Sequence, residues 1–422
     1  MRNIKKGWSW IPSLYFAEGL PYFAVTAISV ILYKRLGISN TDIALYTSWF
    51  YLPWVIKPFW SPIVDMLSTR RLWIIATQLI MGATLASIAF TIPLDSFLQW
   101  TICLFWLLAF SSATHDIAAD GFYMLGLNEE GQSFFAGIRS TFYRIATIFG
   151  QGILIYFAGK LEIVTNNIPF AWSITFGLLC AILVMLGIYH HFTLPRPEQD
   201  KARSINSVKE AMQSFGNIIT TFFKKPGIVP ALLFMLLFRL PEAQLVKLIN
   251  PFLMDSIEAG GLGMSTEQIG ITYGTIGVIG LIVGGILGGI CISRHGLKRW
   301  LWPMVMSISI PDLVYVYLSY AQPDSLTIIN SCVFVEQLGY GFGFTAYMLY
   351  LIYFAQGEYP TAHYAISTAF MALGMMLPGM ISGYIQESLG YFNFFVWVIV
   401  CCAVTFIVSA QLKIDPTFGK KQ

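Results

Sequence analysis

Charge is what this 422-residue chain has least of. Asp, Glu, Lys and Arg together make up 11% of it, where a soluble chain carries roughly 25%. Histidine is equally sparse, with five in the whole sequence. No segment matches the GxxxxGK[ST] phosphate loop or the HExxH zinc helix, and none matches the GxSxG nucleophile elbow. These absences remove nucleotide hydrolysis, zinc-dependent proteolysis and elbow-type acyl transfer, and the chain reads as no enzyme. The six cysteines, Cys103, Cys180, Cys291, Cys332, Cys401 and Cys402, form no CxxC pair and fall in or at the ends of apolar runs. They predict neither a disulfide framework nor a metal site, only small packing residues. No cofactor is expected.

Apolar residues fill the space left by charge. Hydrophobic residues make up 56% and aromatics 16% of the chain, and the mean hydropathy is +0.67. Runs such as "LWIIATQLIMGATLASIAFTI" (72–92) and "VIGLIVGGILGGICI" with its flanks recur throughout. Each is long enough to cross a hydrocarbon layer of ~30 Å as a helix. The first run follows Arg2, Lys5 and Lys6, yet it is too long for a signal peptide and lacks a small-residue cleavage site, so it reads as a retained span. Runs bounded by charge, Pro or Gly predict twelve spans, near 8–34, 43–66, 72–93, 98–125, 137–160, 169–192, 228–254, 267–292, 301–320, 325–355, 364–387 and 391–412. The expected class is an all-α membrane protein.

Lys and Arg predict the orientation. With the N-terminus inside, seventeen lie in inner segments, including Arg70, Arg71, Lys201, Arg294, Arg299 and Lys413, against Lys34, Arg35 and Lys160 outside. That bias places both termini in the cytoplasm. The longest hydrophilic stretch, 194–226, divides the chain nearly in half. In it Val208, Met212, Phe215, Ile219 and Phe222 recur at helical spacing, which predicts an amphipathic helix on the inner membrane surface. The expected organisation is one six-helix bundle at 1–192, a linker at 193–227 and a second bundle at 228–422. The halves echo one another: "SPIVDMLSTRRLW" follows span two and "GICISRHGLKRWLW" follows span eight. Internal repetition of this kind predicts a transporter with its site near the midplane between the halves. The two loops resemble the Gly-x-x-x-Asp-x-x-Gly-Arg-Arg signature of the major facilitator superfamily, with Ser61 for the first Gly, one added residue before Arg70, and Ser293 for the second Asp. Asp65, Arg70, Arg71, Arg294 and Arg299 are accordingly read as inner-loop gating and topology residues.

Ionisable groups inside the spans are the candidates for chemistry, since an unpaired charge in the bilayer costs from about 3 kcal/mol upward. The cations are Lys57, Arg139, Arg144, Arg239 and Lys247, and the acids are Glu18, Asp116, Asp120, Glu242, Asp312 and Glu336. Counting about 1.5 Å per residue puts Glu18, Arg239, Asp312 and Glu336 about 15–17 Å deep, with Asp116 and Asp120 nearer the inner end of span four. All six acids are candidates for proton coupling, with Glu336, Glu242 and Glu18 favoured by depth. Asp116 and Asp120, four apart on one helix face, equally fit pairing residues at an inner gate. Arg239 and Glu242 equally fit a static ion pair. His115 reads as a satisfied polar side chain rather than a relay, and Arg139 as a membrane-surface cation. Lys57, Arg144, Arg239 and Lys247 suit an anionic substrate, and Tyr15, Tyr22, Trp54, Tyr143, Tyr340 and Tyr347 could stack on sugar rings.

Five segments carry a closer resemblance: "KPFWSPIVD" (57–65), "SATHDIAADGF" (112–122), "FRLPEA" (238–243), "EQLGYGFG" (336–343) and "PTAHYAISTAFMALG" (360–374). In this order they resemble the AmpG-like muropeptide permeases, and the first two are also similar to the acetyl-CoA transporter family. The resemblance implies proton-driven uptake of peptidoglycan turnover fragments, typically N-acetylglucosaminyl-anhydro-N-acetylmuramic acid with or without its peptide, across a Gram-negative inner membrane. Lys57, Asp65, Asp116, Asp120 and Glu336 match that pattern. Arg239 and Glu242 match with changes, because the family tends to a Lys-x-Gly-Asp run. Glu18 departs from it, since a small residue usually precedes Gly-Leu-Pro. The implied partners are an amino-sugar or peptide-bearing sugar, a coupling proton and the lipid bilayer; nucleic acid is not among them, and a monomer is expected. Import of a siderophore or a simple amino sugar, and a sensor that has lost transport, are the alternatives.

Overall fold

Proline and glycine decide where these apolar helices run straight and where they break. The structure, a computed structural model, describes residues 7–201 and 216–420, without the side chains of Pro62, Ile63, Asp65, Met66, Glu129, Glu130 and Ser133. Among the described residues all regular structure is helical. The helices are α1 (Ile11–Arg35), α2 (Asn40–Trp49), α3 (Leu52–Leu67), α4 (Arg70–Thr91), α5 (Phe97–Gly126), α6 (Phe134–Thr165) and α7 (Ile168–Thr193). They continue as α8 (Ile228–Met254), α9 (Thr266–His295), α10 (Leu297–Ala321), α11 (Leu326–Ala355), α12 (360–389) and α13 (391–410). The last two run together over 51 residues and are divided at Gly390, whose φ of 73° only glycine adopts freely. Among the described residues ten helices, this long one counted once, are long and apolar enough to cross a membrane. The predicted second span is two helices, because the ring of Pro53 clashes with a helical carbonyl four residues earlier, and the chain turns at Phe50 and Tyr51.

Helix starts follow short polar residues. Ser39, Thr69, Asn128 and Asn167 each accept an N–H three residues on. Ser265 and Gln268 form a reciprocal capping box at α9. Outward faces are apolar: Phe90, Val164 and Tyr320 are each 80% exposed, a surface that suits lipid and would aggregate in water.

The chain divides into two compact units. Unit 1 comprises the residues up to Leu32 together with Ile56–Ser214; unit 2 comprises Tyr33–Val55 and Phe215–Gln422. Unit 1 has a core of Trp10, Leu14, Phe122, Tyr123 and Phe135. Its turn after α3 is locked by Asp200, whose carboxylate accepts the N–H groups of Arg70 and Arg71 at 2.8 and 3.0 Å. The guanidinium of Arg71 donates to the carbonyls of His191 and Leu194. That of Arg70 lies against Gly121, where a Cβ would come within 2.2 Å of it. The side chain of Asp65 falls outside the described residues.

In unit 2, α9 and α11 approach until backbone meets backbone. A Cβ on Gly284 would lie 2.0 Å from the Leu338 carbonyl oxygen, and one on Gly341 would lie 2.1 Å from that of Leu281. This is the small-residue packing that apolar helices use where hydrophobic exclusion from water gives no drive. Residues 216–223 are helical and bury Phe222 against Phe354 and Phe370; the rest of the predicted amphipathic helix falls outside the described residues. Arg294 and Arg299 flank the start of α10 and are exposed. In place of the acid that caps α4, the Phe418 carbonyl accepts the Leu297 N–H at 2.9 Å. The segment Tyr33–Val55 is seated on α12, with Asn40 and Thr41 where a Cβ on Gly383 would clash. Lys34 pairs with Asp255 at 2.6 Å, and Asn40 joins Gln386 and Tyr391 at 2.7 and 2.8 Å.

Candidate functional site: two acidic clusters

Two proline breaks build the acidic cluster of unit 2. In α8 the helix is interrupted at Phe238 and Arg239, just ahead of Pro241. Two carbonyls near the break receive hydroxyl donors: Tyr347 donates to Met235 at 2.6 Å and Thr405 to Phe238 at 2.9 Å. This satisfaction is required at membrane depth. Glu242 follows Pro241 and is 2% exposed. In α10 a short 3₁₀ turn, Ile310–Asp312, accommodates Pro311 and presents Asp312. Gly339 on α11 permits the crossing, since a Cβ there would meet the Ser307 carbonyl at 2.3 Å. Glu336 lies three residues earlier on α11, so one carboxylate oxygen each of Glu242, Asp312 and Glu336 falls within 4.8 Å of the others.

These acids are not equivalent. Glu336 accepts from the Tyr315 hydroxyl at 2.9 Å and from the Gln337 amide at 3.0 and 3.2 Å. Asp312 has the Cys402 thiol at 3.8 Å. Neither buried oxygen of Glu242 has a hydrogen-bond partner. Arg239, one helical turn before Glu242, does not pair with it within 4.0 Å among the described residues; its guanidinium donates to the Tyr340 hydroxyl and lies over Phe344 at 4.8 Å. A static Arg239–Glu242 ion pair is therefore not what this conformation holds. Lys247 is buried, donates to Thr47 Oγ1 at 2.9 Å and lies 5.0 Å from the Tyr51 ring centre. Among the described residues, the buried cations Arg239 and Lys247 are thus not joined as ion pairs to Glu242, Asp312 or Glu336, and the Lys34–Asp255 pair of unit 2 lies apart from them in less buried surroundings.

Unit 1 joins each aspartate of its cluster to a cation. Lys57 on α3 lies 3.6 Å from Asp116 on α5, and Arg139 on α6 lies 3.2 Å from Asp120. Tyr15 bridges the second pair: Arg139 donates to its oxygen at 3.1 Å, and its hydroxyl donates to Asp120 at 3.4 Å. Arg139 also stands 5.0 Å from the Tyr123 ring centre, and its pair with Asp120 is the more exposed of the two. Glu18 on α1, Asp116 and a ring nitrogen of His115 lie within 4.8 Å of one another. Counting residues along spans puts Glu18 near the midplane and Asp116 nearer the inner end of its span, whereas one carboxylate oxygen of each lies within 4.8 Å of the other; counted from their inner ends, the two residues are ten and nine residues in.

The remaining expected residues are less concentrated. Tyr22 and Tyr143 face each other at 6.5 Å. Arg144 is half-buried on α6, with no ion pair among the described residues. Trp54 is half-buried at the start of α3. Tyr340 stacks on Phe344 at 5.6 Å. Tyr347 is wholly buried with its hydroxyl committed to backbone, which makes it a core residue. Sequence reasoning missed Thr47 and Tyr51 beside Lys247, and Tyr315 and Gln337 beside Glu336. It also missed Gln78 and His190, wholly buried and joined at 2.9 Å. A lone glutamine within "LWIIATQLIMGATL" was the available signal, because an amide in an apolar span needs a partner on another helix.

The chain is similar to known transporters over most of its length. It is 28% identical to the putative transporter AmpG 4 of Rickettsia conorii, covering 95% of both chains. It is 27% identical to the anhydromuropeptide permease of Escherichia coli K12, covering 91% of this chain and 75% of that one. Among solved structures, a D-xylose–proton symporter superposes with a TM-score of 0.74 at 11% identity, covering 99% of each chain. The nucleoside transporter NupG superposes with a TM-score of 0.67 at 15% identity, covering 98% of this chain and all of its own. These structural likenesses show the fold. The sequence pattern of the Major Facilitator Superfamily matches residues 13–383, and the chain belongs to that superfamily, as a multi-pass membrane transporter.

Proposed function

We propose that this transporter imports peptidoglycan turnover fragments, N-acetylglucosaminyl-anhydro-N-acetylmuramic acid with or without its peptide, by symport with protons. The cargo reading is supported by the relatives named as anhydromuropeptide permease and AmpG transporters, and by cations suited to a carboxylate-bearing substrate. Arg239 and Lys247 in unit 2 are buried without a carboxylate partner, and Lys57 and Arg144 in unit 1 are half-buried. Tyr22, Tyr143, Trp54 and Tyr340 supply aromatic faces for sugar rings.

One observation carries the coupling reading: the Glu242–Asp312–Glu336 cluster, in which Glu242 is buried with both oxygens unpartnered. Three carboxylates at such separations repel strongly where water is excluded, so the cluster favours holding a proton over carrying three charges. Glu336, already served by three donor contacts, is the member suited to stay ionised, and Glu242 is the member suited to exchange. The transporter sits in an inner membrane with both termini in the cytoplasm and works as a monomer. Purified protein in proteoliposomes with an imposed pH gradient, offered labelled anhydro-muropeptide, free amino sugar or ferric siderophore, tests this. Accumulation of the muropeptide alone supports the reading, and preferential accumulation of either competitor replaces the cargo.

A further inference from the structure

Unit 1 contains a buried hydrogen-bonded chain that ends at its acidic cluster. Ser13 Oγ on α1 lies 2.9 Å from His190 Nε2 on α7. His190 Nδ1 lies 2.9 Å from Gln78 Oε1 on α4, and Gln78 Nε2 lies 3.0 Å from His115 Nε2 on α5. Gln78, His115 and His190 are each 0% exposed. A neutral imidazole offers one donor and one acceptor. The Gln78 amide donates to His115 Nε2, so the ring proton of His115 sits on Nδ1. The amide oxygen accepts from His190 Nδ1–H, which leaves His190 Nε2 as an acceptor facing the Ser13 hydroxyl, whose one proton it shares with the Trp10 carbonyl at 3.1 Å.

Only the far end of this chain is left over. His115 Nδ1 is buried and has no partner, and the same is true of Glu18 Oε2. A ring nitrogen of His115 and a Glu18 carboxylate oxygen are within 4.8 Å, on neighbouring helices. The charged groups facing Glu18 are Asp116 and Asp120 on α5, Lys57 on α3 and Arg139 on α6, with Tyr15 beside it on α1. Lys57 is engaged by Asp116 and Arg139 by Asp120, so among the described residues Glu18 is the acid of this set without a cation of its own. An N–H donor and a carboxylate oxygen, both unsatisfied and both dry, are complementary partners.

We propose that His115 is a positioning residue for Glu18: the Ser13–His190–Gln78 chain holds its ring so that Nδ1–H donates to the ionised Glu18 carboxylate, and protonation of Glu18 releases that bond. A hydronium ion gives one proton to Glu18 and leaves as water, while His115 keeps its own proton throughout. Glu18 thereby becomes a proton-loading site of unit 1, separate from the carboxyl cluster of unit 2. The inference rests on the proton-coupled reading above for its role in transport, although the pairing itself does not.

The test is an infrared pH titration of purified full-length protein, following the carboxyl C=O band that disappears in Glu18→Gln. In His115→Leu the midpoint of that band moves upward by about one pH unit, the scale of one lost hydrogen bond to a charged group. Gln78→Leu moves it the same way by less, and His115→Asn, whose amide N–H can replace Nδ1–H, restores it. A midpoint unmoved in both His115→Leu and Gln78→Leu, in protein that elutes as a folded monodisperse species, overturns the proposal. If His115→Leu does not fold, Gln78→Leu against His115→Asn decides by the same criterion. Uptake rates against pH, measured alongside, separate the two readings. A band that shifts in protein whose uptake ignores the proton gradient keeps the Glu18–His115 pairing and removes proton coupling.

Discussion

Units 1 and 2 dispose of their candidate ionisable groups in opposite ways: those of unit 1 are half-buried or exposed, and those of unit 2 are buried. In unit 1 each aspartate meets its own cation, Lys57 with Asp116 and Arg139 with Asp120. In unit 2 the cations turn to aromatics and hydroxyls, Arg239 to Tyr340 and Phe344 and Lys247 to Thr47 and Tyr51, while three acids gather without them. A paired charge is cheap to keep and costly to change, because removing one partner strands the other. An acid gathered with other acids is costly to keep charged and cheap to protonate. On the proposed coupling reading, unit 1 holds charges in place and unit 2 changes them, with Glu18 the acid of the unit 1 cluster outside the two pairs.

The largest expected effect is on that difference itself. Glu242→Gln or Glu336→Gln abolishes gradient-driven accumulation while leaving exchange of labelled for unlabelled cargo across the membrane; unchanged accumulation in both removes the unit 2 cluster from coupling. Next comes Arg239→Ala, expected to weaken an anionic cargo about tenfold, the equivalent of 1.4 kcal/mol, and a neutral amide analogue less. Equal losses in competition assays count against Arg239 as an anion ligand. In unit 1, Lys57→Ala is expected to lower thermal stability more than the double change Lys57→Ala with Asp116→Asn, by about 1 kcal/mol, since the double change strands no charge. An additive double mutant would show that the pair does not interact.

Packing gives a comparison of its own. Gly284→Ala places a methyl group where the Leu338 carbonyl stands and is expected to cost about 1–3 kcal/mol. Gly289→Ala, on the same helix with open space around it, serves as the control, and equal melting temperatures would refute the contact. The smallest effect concerns the caps of α4 and α10. Asp415, which accepts the N–H and O–H of Thr417, has its carboxyl held below the usual range by those bonds. Its contribution to the tail that supplies Phe418 is present above the ordinary carboxylate pKa of about 4 and is lost as pH falls through the depressed folded value. A lower protection of the Leu297 amide, relative to its intrinsic exchange rate, as pH falls below about 4 checks this, and pH-independent protection would contradict it.

Much of this was legible because membrane helices announce themselves. The spans were predictable from apolar runs since nothing but a helix of some twenty residues satisfies its own backbone in lipid. The acids and cations were equally visible, being too costly to occur there without purpose. Their partners were not. Arg239 and Glu242 sit one turn apart in sequence, and the break before Pro241 sends the arginine to Tyr340 instead. Glu18 and Asp116, assigned to different depths, come within 4.8 Å of one another because antiparallel spans must both be counted from the same side of the membrane. The Gln78–His115–His190 chain joins residues 37 and 112 positions apart, a proximity that periodicity on any single helix does not contain.

The most direct measurement is accumulation of labelled anhydro-muropeptide in proteoliposomes under an inward proton gradient, for the unmodified protein and for Glu242→Gln. The unmodified protein is expected to concentrate the label above its external level and to lose that accumulation when the gradient is collapsed, while Glu242→Gln only equilibrates it. Accumulation by Glu242→Gln equal to that of the unmodified protein would contradict the assignment of unit 2 as the half that changes charge.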